Sequence, residues 1–113
     1  MPGDPAREAT PLGRLHPSLG RIPHADIDAL ARRLGIARIR VYGSAVRSDF
    51  RPDSDIDVMI EPAAGTPARL ATLLAVEQAL ERAFGRDVDV VTPGALDESI
   101  RRCVEREGVT IHG

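Results

Sequence analysis

The chain has 113 residues, 42% hydrophobic and 28% charged, with only one tyrosine, two phenylalanines and no tryptophan. That is the size and composition of one ordinary globular domain with a single modest core. The formal net charge of −2 argues against holding a nucleic-acid backbone by bulk positive charge, all 15 basic residues are arginine so that no step can use a catalytic lysine, and the single Cys103 forms no internal disulfide. No apolar run approaches the ~20 residues of a membrane span and the N-terminus has no apolar signal core, so the expected location is the cytoplasm, with no membrane partner.

Residues 1–21 are rich in Pro, Gly and Arg without a sustained period. They predict a flexible N-terminal segment that carries no chemistry, His16 included. From Ile22 on, a single domain is expected over residues 22–113. Pro23-His24-Ala25-Asp26 opens a helix whose Ile27, Leu30, Ala31 and Leu34 recur at three-and-four spacing, with Gly35 as its stop. Ile36 to Tyr42 alternates Ile39 and Val41 with Arg38 and Arg40 and reads as the first core strand. Gly43-Ser44 ends it, Ala45 to Ser48 forms a short helical turn, and Asp49 to Asp53 is a loop.

Ser54 to Glu61 reads as the second strand, with Ile56, Val58 and Ile60 on one face and Asp55, Asp57 and Met59 on the other. Thr66-Pro67 then gives a cap and a first helical residue, and the helix runs to Phe84 on a stripe of Leu70, Leu73, Leu74, Leu80 and Phe84, closed by Gly85. Asp87 to Val91 is a third strand and Thr92-Pro93-Gly94 a turn. Ala95 to Glu107 is a last helix with Leu96, Ile100, Cys103 and Val104 inward, so Cys103 is expected to be buried, and Val109 to Ile111 forms an edge strand. The fold class is α/β (α+β): a small mixed β-sheet with helices packed on one side.

Chemistry gathers between Val41 and Glu61. Residues i and i+2 of a strand point the same way, so Asp55 and Asp57 project two carboxylates from one face. Two such charges repel unless a cation stands between them. Mg²⁺ prefers carboxylate and phosphate oxygens, and a pair of such ions roughly 3.5–4 Å apart would clamp the attacking and leaving oxygens of a phosphoryl transfer. Gly43 lets the backbone approach a phosphate, the N–H groups after it can hold an anion, Ser44 adds a hydroxyl, and Arg47 brings a guanidinium one turn on. Asp89, inside Val88-Asp89-Val90-Val91, is poorly explained by packing and offers a third carboxylate. Asp87 has the same strand parity, so spacing does not choose between them, though its place beside Gly85-Arg86 reads as a surface position at the strand start.

Gly43-Ser44, Arg47 and Ser54-Asp55-Ile56-Asp57 together resemble the signature of the DNA-polymerase-β-like nucleotidyltransferases. More narrowly, the chain resembles the minimal nucleotidyltransferases (MNT) that are encoded with HEPN proteins as antitoxin and toxin; the likeness runs from Asp26 to Ile111. The resemblance implies that Gly43 and Ser44 hold the nucleoside triphosphate, that Asp55 and Asp57 bind Mg²⁺, and that Asp89 is the third acidic position. Ser48 departs from the glycine that family members often carry after the arginine, which narrows that loop's conformations but removes no ligand.

With the expected domain taking up residues 22–113, the acceptor is expected to be presented by another molecule. The resemblance implies Mg²⁺-dependent transfer of AMP from ATP onto a hydroxyl, a tyrosine in the leading reading, of a partner HEPN-type toxin. A non-catalytic antitoxin that neutralises by binding alone, and a small-molecule nucleotidyltransferase using a homodimer to build its acceptor site, are the competing readings.

Overall fold

The alternation of apolar and basic residues in Ile36–Tyr42 produces the strand around which the sheet is laid (β1). The computed structural model describes residues 15–47 and 51–113. The other strands are Ile56–Pro62 (β2), Val88–Val91 (β3) and Val109–His112 (β4), in the order β3-β2-β1-β4. β1 runs antiparallel to both β2 and β4, whereas β2 and β3 are parallel. A parallel pair needs a crossover, which helix α2, Leu70–Phe84, supplies between them. Helix α1, His24–Leu34, precedes β1, and α3, Glu98–Glu107, precedes β4.

Strand parity decides what is buried. Ile39, Val41, Ile56, Val58 and Ile60 have no exposed surface and join Ile27, Leu30, Ala31, Val76 and Leu80 from α1 and α2 in one core. Met59 is 4% exposed and Val104 of α3 fully buried, yet both lie outside that cluster; Met59 has the opposite parity, and α3 lies against β1. Gly35 (φ +72) and Gly85 (φ +67) end α1 and α2 in the left-handed region, each returning its N–H to the last turn.

Several boundaries differ from expectation. Helix α2 starts at Leu70, not at Thr66-Pro67, because the Thr66 N–H closes a turn onto the Ala63 carbonyl (2.9 Å) and Arg69 is still extended. Its inward stripe runs through Leu73, Val76, Leu80 and Phe84, whereas Leu70 is 70% and Leu74 44% exposed. Leu74 sits about 100° round the helix from Leu73, which turns it off the sheet. α3 starts at Glu98 after Asp97, whose carboxylate accepts the Ile100 N–H at 2.9 Å and is held below its usual range by that bond, while Ala95 belongs to a 3-10 turn, Pro93–Ala95. Ile100 is 40% exposed, and Cys103 is half-buried rather than buried, its Sγ directed at Glu107 Oε1 (3.6 Å).

Two contacts tie the periphery down. His112 Nδ1 lies 2.6 Å from Asp28 Oδ1, joining β4 to α1, so that the second carboxylate of Asp26-Ile27-Asp28 has a structural partner. At the other end Leu19 is 6% exposed within the core, Leu15 packs against it, and the His16 N–H donates to the Ala45 carbonyl at 2.7 Å. Residues 15–21 of the segment expected to be flexible are thus laid on the domain; residues 1–14, and with them the rest of that expectation, lie outside the described residues.

Candidate active site

The row that gathers the chemistry runs across three strands. In the sheet register Tyr42 of β1 faces Asp57 of β2, and Asp57 faces Asp89 of β3. Directly opposed residues of an antiparallel ladder, such as Tyr42 and Asp57, hold their Cβ atoms about 4.5–5.5 Å apart on one face, and Asp89 continues the row on the parallel neighbour β3. Asp55 lies just before β2 and is exposed.

Electrostatics agree with the register. The half-buried Asp57 carboxyl is pushed up from the usual carboxylate range by burial, then by the charges of Asp89 and Asp55, with the Arg47 guanidinium pulling the other way. Tyr42 is pushed up to about 12 by burial and by Asp57 and Asp89. Of the two candidates that spacing left open, Asp89 pairs with Asp57 in the register and its charge raises the Asp57 carboxyl, while Asp87 lies just before β3, its backbone carbonyl accepting the Ile56 N–H at 2.9 Å. Tyr42 was not foreseen in this row. Its signal is the hairpin register, which becomes readable only once β1 is known to pair with β2 and where.

Gly43 opens the 3-10 turn Gly43–Val46, in which the Arg47 N–H returns to the Ser44 carbonyl at 3.0 Å. Its φ is +75°, and a Cβ built on it would stand 2.7 Å from Asp57 Oδ2. The glycine is therefore needed twice, for a backbone conformation that L-residues avoid and for the space the carboxylate occupies. Ser44 is half-buried and Arg47 exposed, and Arg47's charge reaches Asp57. Ser48, the last residue of the expected turn, and Asp49 and Phe50 of the loop after it lie outside the described residues.

Among the described residues no three His, Cys, Asp or Glu side chains are already closed into a metal cage. The carboxylates form an open row. A hollow of about 360 Å³ is lined by Asp55 itself with Asp53, Ser54, Glu81, Arg86 and Asp87 among others, and by none of Gly43, Ser44, Asp57 and Asp89. The row lies on the sheet face, outside that hollow.

The single tyrosine reports on this row. With no tryptophan to interfere, its ionisation followed in the near ultraviolet is expected at about 12, against roughly 10 for a free side chain. Asp57→Asn should move it back toward the free value. The folded protein keeps this proton where the unfolded chain has lost it, so stability falls as pH rises from the free value toward the folded one. An ordinary tyrosine midpoint in the native protein would show that the carboxylates do not crowd it.

A Gly-Ser turn placed against a row of aspartates on a small mixed sheet defines an enzyme of the nucleotidyl-transferring class. The chain belongs to the nucleotidyltransferase domain family, which it matches over residues 27–111. It is 34% identical over 82 residues to the protein adenylyltransferase MntA of Thermococcus cleftensis, covering 73% of this chain and 81% of that protein. Among solved structures, it is similar to a chain of a toxin–antitoxin structure with AMP-PNP (TM-score 0.62, 25% identity, 80% of this chain and 73% of the other). It is also similar to a chain of the complex between the tri-AMPylated Shewanella oneidensis HEPN toxin and its MNT antitoxin (TM-score 0.51, 25% identity, 80% and 69%).

Proposed function

We propose that this nucleotidyltransferase is an antitoxin of the MNT kind, which transfers AMP from ATP to a tyrosine hydroxyl of a HEPN-type toxin in the cytoplasm and thereby neutralises it. The observation that carries the reading is Asp57: a carboxylate raised by burial and by two acidic neighbours and set against a positive-φ glycine. A crowded set of hard oxygen donors is a demand for a divalent cation. Asp55, Asp57 and Asp89 fit Mg²⁺ by donor chemistry, as one ion or a pair. Bound there, Mg²⁺ would neutralise charge on the phosphate oxygens.

The chain's own residues do the rest. Gly43 and Ser44 hold the triphosphate through backbone N–H groups and the Ser44 hydroxyl, and Arg47 adds a guanidinium to the same anion. Asp89, exposed at the end of the row, takes the proton from the incoming hydroxyl. The acceptor oxygen forms a bond to the α-phosphorus, the bond from that phosphorus to the bridging oxygen breaks, and pyrophosphate leaves. Because the row lies on an open face, the acceptor can be presented by another protein. The relative named a protein adenylyltransferase and the AMPylated toxin in a matching complex support this choice over a small-molecule acceptor.

The test is to incubate the chain with ATP labelled at the α-phosphate, Mg²⁺ and the protein encoded beside it. Label is expected on a tyrosine of that partner, and none with Asp57→Asn. The proposal falls if no label transfers and Asp57→Asn still neutralises the partner, which would make the protein an antitoxin by binding alone.

A further inference from the structure

Asp55 is the one member of the acidic set that the sheet does not hold. β2 begins at Ile56, and Asp55 is exposed at the end of the loop before it. What fixes it comes from Arg86 and Asp87, which follow the Gly85 that ends α2. On one side, the Ser54 carbonyl accepts a hydrogen bond from Arg86 Nη2 at 2.8 Å. On the other, the Ile56 N–H donates to the Asp87 carbonyl at 2.9 Å. The dipeptide Arg86-Asp87 therefore grips the chain immediately before and immediately after Asp55.

Arg86 reaches further into the loop. The same Nη2 donates to the Arg51 carbonyl, and one guanidinium nitrogen has two N–H groups, one for each carbonyl. Arg51 and Ser54 are themselves closed into a turn, the Ser54 N–H donating to the Arg51 carbonyl and the Arg51 N–H to Ser54 Oγ, both at 3.0 Å. The arginine has a firm base: Gly85 before it returns its N–H to the Glu81 carbonyl at 2.8 Å, and Glu81 Oε2 accepts the Val88 N–H at 3.2 Å.

We propose that Arg86 is a positioning residue for nucleotidyl transfer, whose guanidinium holds the Arg51–Ser54 turn and so sets where Asp55 presents its carboxylate. This rests on the reading of Asp55 as a residue that holds Mg²⁺. Groups that orient ligand residues from behind commonly matter by about 10–100-fold in affinity or activity. Asp57 gains nothing from Arg86, because the ladders to β1 and β3 already hold it.

The experiment compares the full chain with Arg86→Ala and Arg86→Lys by amide hydrogen exchange and by transfer kinetics. In Arg86→Ala the Ser54 and Ile56 amides should exchange about tenfold faster, the size of one lost hydrogen bond, while those of Val58 and Ile60 keep their protection. The kcat should fall about 10–100-fold with the KM for ATP little changed and the Mg²⁺ dependence shifted to higher concentration. Arg86→Lys, which keeps a cationic donor, should recover part of both effects. Unchanged exchange at Ser54 and Ile56 would overturn the proposal, as would exchange rising throughout the sheet with kcat and KM lost together. The exchange measurement needs no turnover, so a wild-type chain that transfers nothing would count against the proposed function and leave Arg86 to be judged by exchange alone.

Discussion

Asp57→Asn is expected to lower transfer by roughly a thousandfold or more while leaving the fold as stable as the native protein, or more so. The size follows from removing a charged group that, on the proposed function, acts in the transition state. The stability follows from the causes of the Asp57 shift: burial, Asp89 and Asp55 all favour its neutral form, and Arg47 offsets them only in part. A carboxylate whose folded pKa lies above its unfolded value stabilises the fold below the unfolded value and loses that contribution as pH rises through the folded one. Asparagine keeps the shape and omits the charge. The two proteins should therefore denature alike in acid, where Asp57 is protonated in both states, and at neutral pH the variant should resist urea or heat at least as well. Mg²⁺ with ATP should raise the melting temperature of the native chain through binding to the folded state alone, and raise that of the variant less. A carboxylate kept for a structural ion pair would behave in the opposite sense, its variant weaker at neutral pH than in acid. That result, or transfer near the native rate, would remove Asp57 from the site.

What the sequence made legible was whatever depends on near neighbours. β1 occupies the expected Ile36–Tyr42, and Gly35 and Gly85 stop their helices, because an alternating run and a left-handed terminus are local properties. Asp57 could be placed on the polar face from parity alone. Spacing alone did not choose Asp89 over Asp87, which the resemblance chose: that Asp57 stands opposite Asp89 depends on β2 and β3 pairing in parallel, and the register of two strands joined by a helix is written in neither strand. Tyr42 escaped notice for the same reason. The start of α2 failed differently. Thr66-Pro67 has sound chemistry for a helix start, but the Thr66 methyl lies against Gly35, where an added Cβ would stand 2.7 Å from it, and the Thr66 N–H is committed to the Ala63 turn. Leu70 and Leu74 then fall outside the stripe that Val76 joins. Arg86 gave no local signal at all, since its acceptors are backbone carbonyls more than thirty positions away, an |i−j| of 35 for Arg51 and 32 for Ser54.

Gly43 and Gly35 together allow a sharper test of the site than either alone. Both have positive φ, +75° and +72°, and in both an added Cβ would lie 2.7 Å from a side-chain atom. The backbone penalty for alanine is therefore the same in kind at each, about 1–2 kcal/mol for a left-handed L-residue, and both Gly43→Ala and Gly35→Ala should lower the denaturation midpoint by similar amounts. They differ in what the methyl strikes. At Gly35 it is Thr66 Cγ2, in a surface turn before α2; at Gly43 it is Asp57 Oδ2. That carboxylate stands in line with Tyr42 and Asp89, so the new methyl shifts it along a row in which position is the function. A misplacement of about 1 Å at a reacting centre can cost roughly a hundredfold. Measured at a temperature where each variant is fully folded, transfer should fall about a hundredfold in Gly43→Ala and stay near native in Gly35→Ala. Equal losses would mean that strain anywhere in the sheet disables the enzyme. Full activity in Gly43→Ala would mean that the turn and the carboxylate do not act on the same substrate. Loss at Gly43 alone, with matched stabilities, ties the proposed phosphate-binding turn and the acidic row into one site.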